Sequence, residues 1–159
     1  MGVIDIKKIV FVCSGNTCRS PMAEAIFNYY AKGSDFYAES AGVVANDGEP
    51  VAGNSAITIK SLIGEDISAK TARSLMLEDI QESHLLLTMT GGQKVIIKSL
   101  APADTDNVFT LGEKAGFGDE EVFDPYMQDK ETYMNCAKQI EKFVKIIIKE
   151  LGCDDNSSK

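Results

Sequence analysis

The sequence predicts an α/β protein: one three-layer domain in which a four-stranded parallel sheet is covered by helices on both faces. Three observations carry that reading. Short apolar, β-rich runs alternate with longer segments whose apolar residues recur at helical spacing, and the links between them are mostly short. The first run, Ile9-Val10-Phe11-Val12, is apolar without interruption, as a strand buried on both faces requires. At 159 residues the chain fits a single domain whose core needs neither disulfide nor metal. Residues 1–153 are assigned to that domain, and 154–159 read as a frayed tail.

In chain order, the first strand covers residues 8–12. The first helix covers 21–31, with Ser20 as N-cap and Pro21 at the first helical position, where a missing N–H costs nothing. Met22, Ala25, Ile26, Tyr29 and Tyr30 are its expected apolar face. Strand two is placed at 36–39 and helix two at 52–63; a short helical turn follows at 76–80, then strand three at 84–89, helix three at 91–100 and strand four at 107–109. The final helix, 129–151, sets Tyr133, Cys136, Ile140, Phe143, Val144, Ile147 and Leu151 on one face, which makes Cys136 a small core residue. Before it lies the long segment 111–128, rich in glycine and acidic residues, where Gly112, Gly116 and Gly118 are expected to give mobility.

The chemistry concentrates where strand one meets helix one, in Cys13-Ser14-Gly15-Asn16-Thr17-Cys18-Arg19-Ser20. Backbone N–H groups of a tight loop and the positive end of a helix attract a dianion. An arginine fork grips its oxygens in two places. Residues 14–20 therefore form a candidate phosphate cradle, with Cys13 as its built-in nucleophile, because the same field favours the attacking thiolate. Gly15 allows close backbone approach, Asn16 tolerates a positive φ, and the Ser20 hydroxyl is placed to donate to the thiolate.

Together with Asp124-Pro125-Tyr126, this signature resembles the low-molecular-weight protein tyrosine phosphatase family, marked by Cys-x-Gly-Asn-x-Cys-Arg-Ser and a distant Asp-Pro. Ser40-Ala41-Gly42, the strand at 84–89 and the long last helix extend the likeness to about residue 152. The resemblance implies a flavodoxin-like (phosphotyrosine phosphatase I-like) sheet in the order 2-1-3-4, with the site at the carboxyl end of strand one. It implies no cofactor. Cys13 attacks phosphorus to give a phosphocysteine, Arg19 holds the equatorial oxygens, and Asp124 protonates the leaving atom before activating water. Asp119, Glu120 and Glu121 compete for the acid's role and are read as solvated charge.

Two departures from the family pattern bear on the substrate. Lys70 stands where many members carry a histidine that helps hold the loop's Asn and Ser. Thr17 stands where tyrosine-specific members carry Ile or a similar apolar residue, whereas the bacterial protein-arginine phosphatase branch carries Thr. Leu87-Thr88-Met89-Thr90 and Val108-Phe109-Thr110-Leu111 also side with that branch, and Tyr126 fits either. Thr17 and Tyr126 are thus the expected substrate contacts, and the reading leans to phosphoarginine with phosphotyrosine as the alternative. Cys18 is an expected redox partner able to capture an oxidised Cys13 as a disulfide, or else a small packing residue.

Composition narrows the partners. A formal charge of −8 argues against nucleic acid and anionic membrane. It does not oppose a phosphate site, since dispersed surface charge is screened beyond about 8 Å at physiological salt. The expected partner is a phosphorylated protein, the expected assembly a monomer or weak dimer, and the expected compartment the cytoplasm, because a reactive Cys13 needs reducing surroundings. No apolar run reaches the length of a membrane span and the N-terminus has no signal-peptide pattern. The only histidine, His84, is remote from Cys13 and Cys18, so no metal site is expected. An arsenate reductase would need further cysteines between Cys18 and Cys136, and nucleotide-binding glycine signatures are lacking. A non-catalytic phosphoprotein-binding module is the remaining rival. Gly91-Gly92-Gln93-Lys94 is read as a plain helix entry and His84 as a strand-edge residue.

Overall fold

Ile9, Phe11 and Cys13 pack into one apolar cluster, Val10 and Val12 into another, and all five are buried. Such alternation places their strand inside a sheet covered on both sides. The computed structural model describes residues 5–153, so the expected tail at 154–159 lies outside the described residues. Strand β1 (Lys7–Cys13) pairs in parallel with β2 (Phe36–Gly42) on one side and with β3 (Leu85–Thr88) on the other, and β3 pairs in parallel with β4 (Val108–Thr110). The order β2-β1-β3-β4 is the one the family resemblance implied.

Helices α1 (Arg19–Tyr30), α2 (Gly53–Ile63) and α6 (Lys130–Leu151) pack against one another and bury one face of the sheet. The opposite face is covered through Ile80 of α3 (Leu77–Glu82) and Ile97 of α4 (Gly91–Leu100). Helix α6 buries the expected stripe from Tyr133 to Ile147, with Leu151 partly buried, and is closed at its ends by the Asp129 carboxylate and by Gly152 in the left-handed region. Burial pushes the Cys136 thiol up to about 12, so it is a neutral core group as expected. No helix among the described residues is long and apolar enough to cross a membrane.

Four readings are corrected. Helix α1 begins at Arg19, before Ser20, because the Ser20 hydroxyl is engaged elsewhere, and its N-cap Cys18 makes no side-chain cap bond. Its buried stripe is Met22, Ala23, Ile26 and Phe27, while Tyr29 is exposed, because the helix lies against the sheet, α2 and α6 at once. Strand β2 runs on to Gly42 rather than ending at Glu39. The segment 111–128 is also more built than expected. It opens with α5 (Leu111–Lys114), capped by the Thr110 hydroxyl. A Cβ on Gly112 would lie 1.9 Å from the Glu120 carbonyl oxygen, so this glycine serves close packing and not mobility.

Candidate active site

The pairing of β1 with β2 sets the first functional atoms. Cys13 ends β1 opposite Gly42, and a Cβ on Gly42 would stand 2.5 Å from the Ser14 carbonyl oxygen and 3.1 Å from the Asn16 nitrogen. Only glycine lets the loop fold back so closely. The chain after β2 then lines the loop, as the Val43 and Val44 N–H groups donate to the Cys13 and Ser14 carbonyls.

Asn16 adopts φ +58°, as expected, and its side chain fixes the loop. Its Nδ2 donates to Ser20 Oγ at 2.8 Å and to Ser40 Oγ at 3.0 Å, and its Oδ1 accepts the Arg73 N–H at 2.9 Å. Since Ser20 Oγ already accepts from Asn16, its own proton is free for Cys13 Sγ, 2.9 Å away. The Asn16 N–H also donates to that sulfur at 3.3 Å, so two donors fix its position at the base of the loop.

Behind Asn16 the network continues to Lys70. Ser40 Oγ donates to Glu24 Oε1 at 2.7 Å, and the Lys70 ammonium lies 2.5 Å from Glu24 Oε2. A salt-bridged carboxylate thus orients the serine that receives Asn16, and Lys70 reaches the loop only through it. Arg73 is held in turn by Asp79, whose carboxylate accepts from both guanidinium nitrogens at 2.9 and 3.0 Å. Burial alone would raise the Asp79 carboxyl, but Arg73, the Met76 N–H and Lys8 outweigh it and hold it below the ordinary range. On the other flank Gln93 Nε2 donates to Ser14 Oγ at 3.1 Å, while its Oε1 accepts the Met89 and Thr90 N–H groups. The stretch 91–94 is therefore more than a helix entry.

Arg19 is 5% exposed and bridges to the acidic segment. Its Nη1 donates to the Val122 carbonyl at 2.9 Å, and Nη2 lies 3.7 Å from Asp124 Oδ2. Asp124 stands half exposed before a buried Pro125, with its Oδ1 accepting the Tyr126 N–H at 3.1 Å. Glu120 and Glu121 are exposed; the Glu121 carboxylate accepts the Gly91 N–H, and Gln139 Nε2 donates to the Glu120 carboxylate and to the Glu121 backbone carbonyl. Cys18 Sγ lies 3.2 Å from Tyr133 Oη, and burial raises its thiol above the ordinary value despite that bond.

A cavity of about 290 Å³ opens over these groups. Cys13, Ser14, Gly15, Thr17, Cys18 and Arg19 form its floor; Asp124 and Tyr126 stand in its wall with Val44 and Glu49, two residues the sequence did not single out. Asn16 and Ser20 brace the floor from behind. A Cβ on Gly15 would meet no protein atom nearer than Thr17 Oγ1 at 3.8 Å, so within the protein the tight packing falls at Gly42. His84 is outside the site, edge-on to Phe36. No group of three or more His, Cys, Asp or Glu among the described residues is placed to hold a metal.

A thiol in a loop between strand and helix, with an arginine below and a carboxylic acid above, is the layout of a cysteine-dependent phosphatase. Comparison with known proteins agrees: residues 8–157 match the model of the low molecular weight phosphotyrosine protein phosphatases, and the chain belongs to that family. A relative from Ralstonia nicotianae named "Probable low molecular weight protein-tyrosine-phosphatase EpsP" is 37% identical over 87% of this chain and 92% of its own. The protein-arginine-phosphatase of Bacillus subtilis is 35% identical over 92% of this chain and 97% of its own. The crystal structure of a low molecular weight protein tyrosine phosphatase from T. tengcongensis superposes with a TM-score of 0.87 at 38% identity, covering 91% of this chain and 99% of that one. The protein is accordingly an enzyme, a protein phosphatase of this family acting on phosphorylated proteins.

Proposed function

We propose that the enzyme hydrolyses phosphoarginine side chains through a phosphocysteine intermediate. Cys13 Sγ attacks phosphorus in line, an S–P bond forms, and the P–N bond to the guanidinium breaks while Asp124 delivers a proton to the departing nitrogen. Arg19 and the N–H groups of residues 14–19 hold the equatorial oxygens as charge shifts. The Asp124 carboxylate then takes a proton from water, whose oxygen attacks phosphorus and releases inorganic phosphate and the Cys13 thiolate.

One observation carries the choice of leaving group. Thr17, a short side chain with a hydroxyl, lines the cavity together with Cys13, at a place where a larger apolar side chain would give a phenol ring more contact. The bacterial arginine phosphatase among the relatives accords with this reading. Phosphotyrosine is the second reading, favoured by exposed Val44 and Tyr126, two apolar walls that suit an aromatic ring. Turnover of phosphoarginine and phosphotyrosine peptides of matched sequence decides between them; a higher kcat/KM on phosphotyrosine overturns the first.

The same proposal keeps the enzyme in the cytoplasm, metal-free, away from nucleic acid and membranes, and monomeric or weakly dimeric, on the strength of its acidic charge and its need for a reduced Cys13. It retains Cys18 as the thiol that captures an oxidised Cys13, supported by the presence of both in one cavity floor. The raised Cys18 thiol leaves nucleophilic attack on phosphorus to Cys13.

A further inference from the structure

Glu49 stands in the wall of the cavity, and nothing in the phosphoryl-transfer steps requires it. A carboxylate facing a site built for a dianion is unfavourable by itself. The lining offers no relief, since Arg19 is its one cationic residue and is already bonded to Val122 and close to Asp124. None of the ion pairs formed by lysine and arginine among the described residues involves Glu49.

The turn carrying Glu49 is nevertheless braced. Its N–H donates to the Asn46 carbonyl at 3.0 Å and its carbonyl accepts the Ala72 N–H at 2.8 Å. The segment is stitched to the phosphate loop at both ends, by Val44 N–H to the Ser14 carbonyl and by Ala52 N–H to the Thr17 carbonyl. Asn46 Nδ2 donates to Glu49 Oε1 at 3.4 Å. A negative charge is thus held beside the mouth of an anion site on a turn tied to that site.

We propose that Glu49 is a specificity-determining residue that selects substrates carrying positive charge next to the phosphoryl group. This rests on reading the cavity as a phosphatase site. A cation seated between the phosphate and Glu49 turns the carboxylate from a repulsive wall into an attractive one, whereas a neutral aryl phosphate meets only the repulsion. The cation has two chemical sources: the guanidinium of phosphoarginine itself, or a lysine or arginine flanking a phosphotyrosine.

The test measures kcat/KM of the full chain and of Glu49→Gln and Glu49→Lys on four substrates. These are a phosphoarginine peptide with neutral flanks, phosphotyrosine peptides with neutral or lysine flanks, and para-nitrophenyl phosphate. Glu49→Gln is expected to lower kcat/KM about three- to fivefold on a cation-bearing substrate at low salt, mainly through KM. On para-nitrophenyl phosphate the same change raises it. Glu49→Lys widens both effects, and added salt shrinks them. A loss confined to phosphoarginine identifies the guanidinium as the cation read, and a loss confined to lysine-flanked phosphotyrosine identifies the flank. Equal changes on all four substrates, or differences that ignore salt, overturn the role of Glu49 while leaving the phosphatase reading intact. Failure of the parent to turn over para-nitrophenyl phosphate overturns that reading instead.

Discussion

Residues 13–20 are largely buried and tied to many other segments, among them those carrying Ser40, Arg73, Gln93, Val122 and Tyr133 and the backbone after β2. Asp124, which faces them, is half exposed and held by one backbone N–H, a buried proline behind it and the Arg19 guanidinium 3.7 Å away. The difference separates two tasks. A cradle stabilises the transition state in proportion to how little it must reorganise, so it is braced from every side. An acid must exchange its proton with water once per cycle, so it is left partly wet.

Breaking the cradle at its chemical centre gives the largest effect. Cys13→Ser removes the nucleophile with little change in volume and is expected to lower kcat on the order of 10⁴–10⁶-fold while the fold and phosphate affinity persist. Circular dichroism and phosphate titration check the second half, and a kcat near the parent's refutes covalent catalysis. Breaking the acid gives the next effect, and a conditional one. Asp124→Asn should cost about 10²–10⁴-fold on substrates with poor leaving groups and much less on para-nitrophenyl phosphate, which leaves without a proton. Equal losses on both would place the acid elsewhere in 111–128.

Thr17 belongs to the cradle and, on the proposed reading, faces the leaving group, so it sharpens the boundary between the two. Thr17→Ile is expected to shift relative kcat/KM from phosphoarginine toward phosphotyrosine by roughly 10–200-fold. Parallel changes would assign Thr17 to loop structure alone. The smallest effect comes from the outermost brace. Asp79→Asn weakens the hold on Arg73, whose N–H fixes Asn16, at about 1–2 kcal/mol of stability. The sign with pH follows from its lowered carboxyl. The unfolded chain takes up the proton first, so the stabilisation is complete above the unfolded value and is lost as pH falls through the folded one. Denaturant titrations from about pH 6 down to pH 3 should therefore show the parent losing more stability than the variant.

What the sequence revealed and concealed follows the same division. The nucleophile, arginine, proline and following helix are contiguous, and each residue type is constrained by its neighbours, so the loop, β1 and the strand alternation were legible. Asp124 is distant, and without the family likeness Asp-Pro is an ordinary turn. The braces are hidden more deeply: Glu24, Gln93 and Arg73 are common types in common settings, and only folding brings Arg73 to Asn16, Gln93 to Ser14 and Glu24 to the Ser40 that receives Asn16. Thr90-x-x-Gln93 did carry a helix-capping pattern, but a cap gives no sign that the same amide also reaches another loop. Ser20 carried two readings: its hydroxyl reaches the Cys13 sulfur as expected, but that same engagement rules out the helix N-cap its neighbours suggested. Glu49 and Val44 gave no signal, being exposed residues in a loop whose position depends on Gly42.

Asn16 holds its left-handed turn through bonds made entirely within the protein, so the loop is shaped before any phosphate arrives. An oxyanion entering such a site loses its own freedom but imposes little on the chain. The floor therefore grips the phosphoryl group itself, whatever it is attached to. Inorganic phosphate released by each turnover would meet the same donors as the next substrate, so the enzyme is expected to slow as its own product accumulates around it.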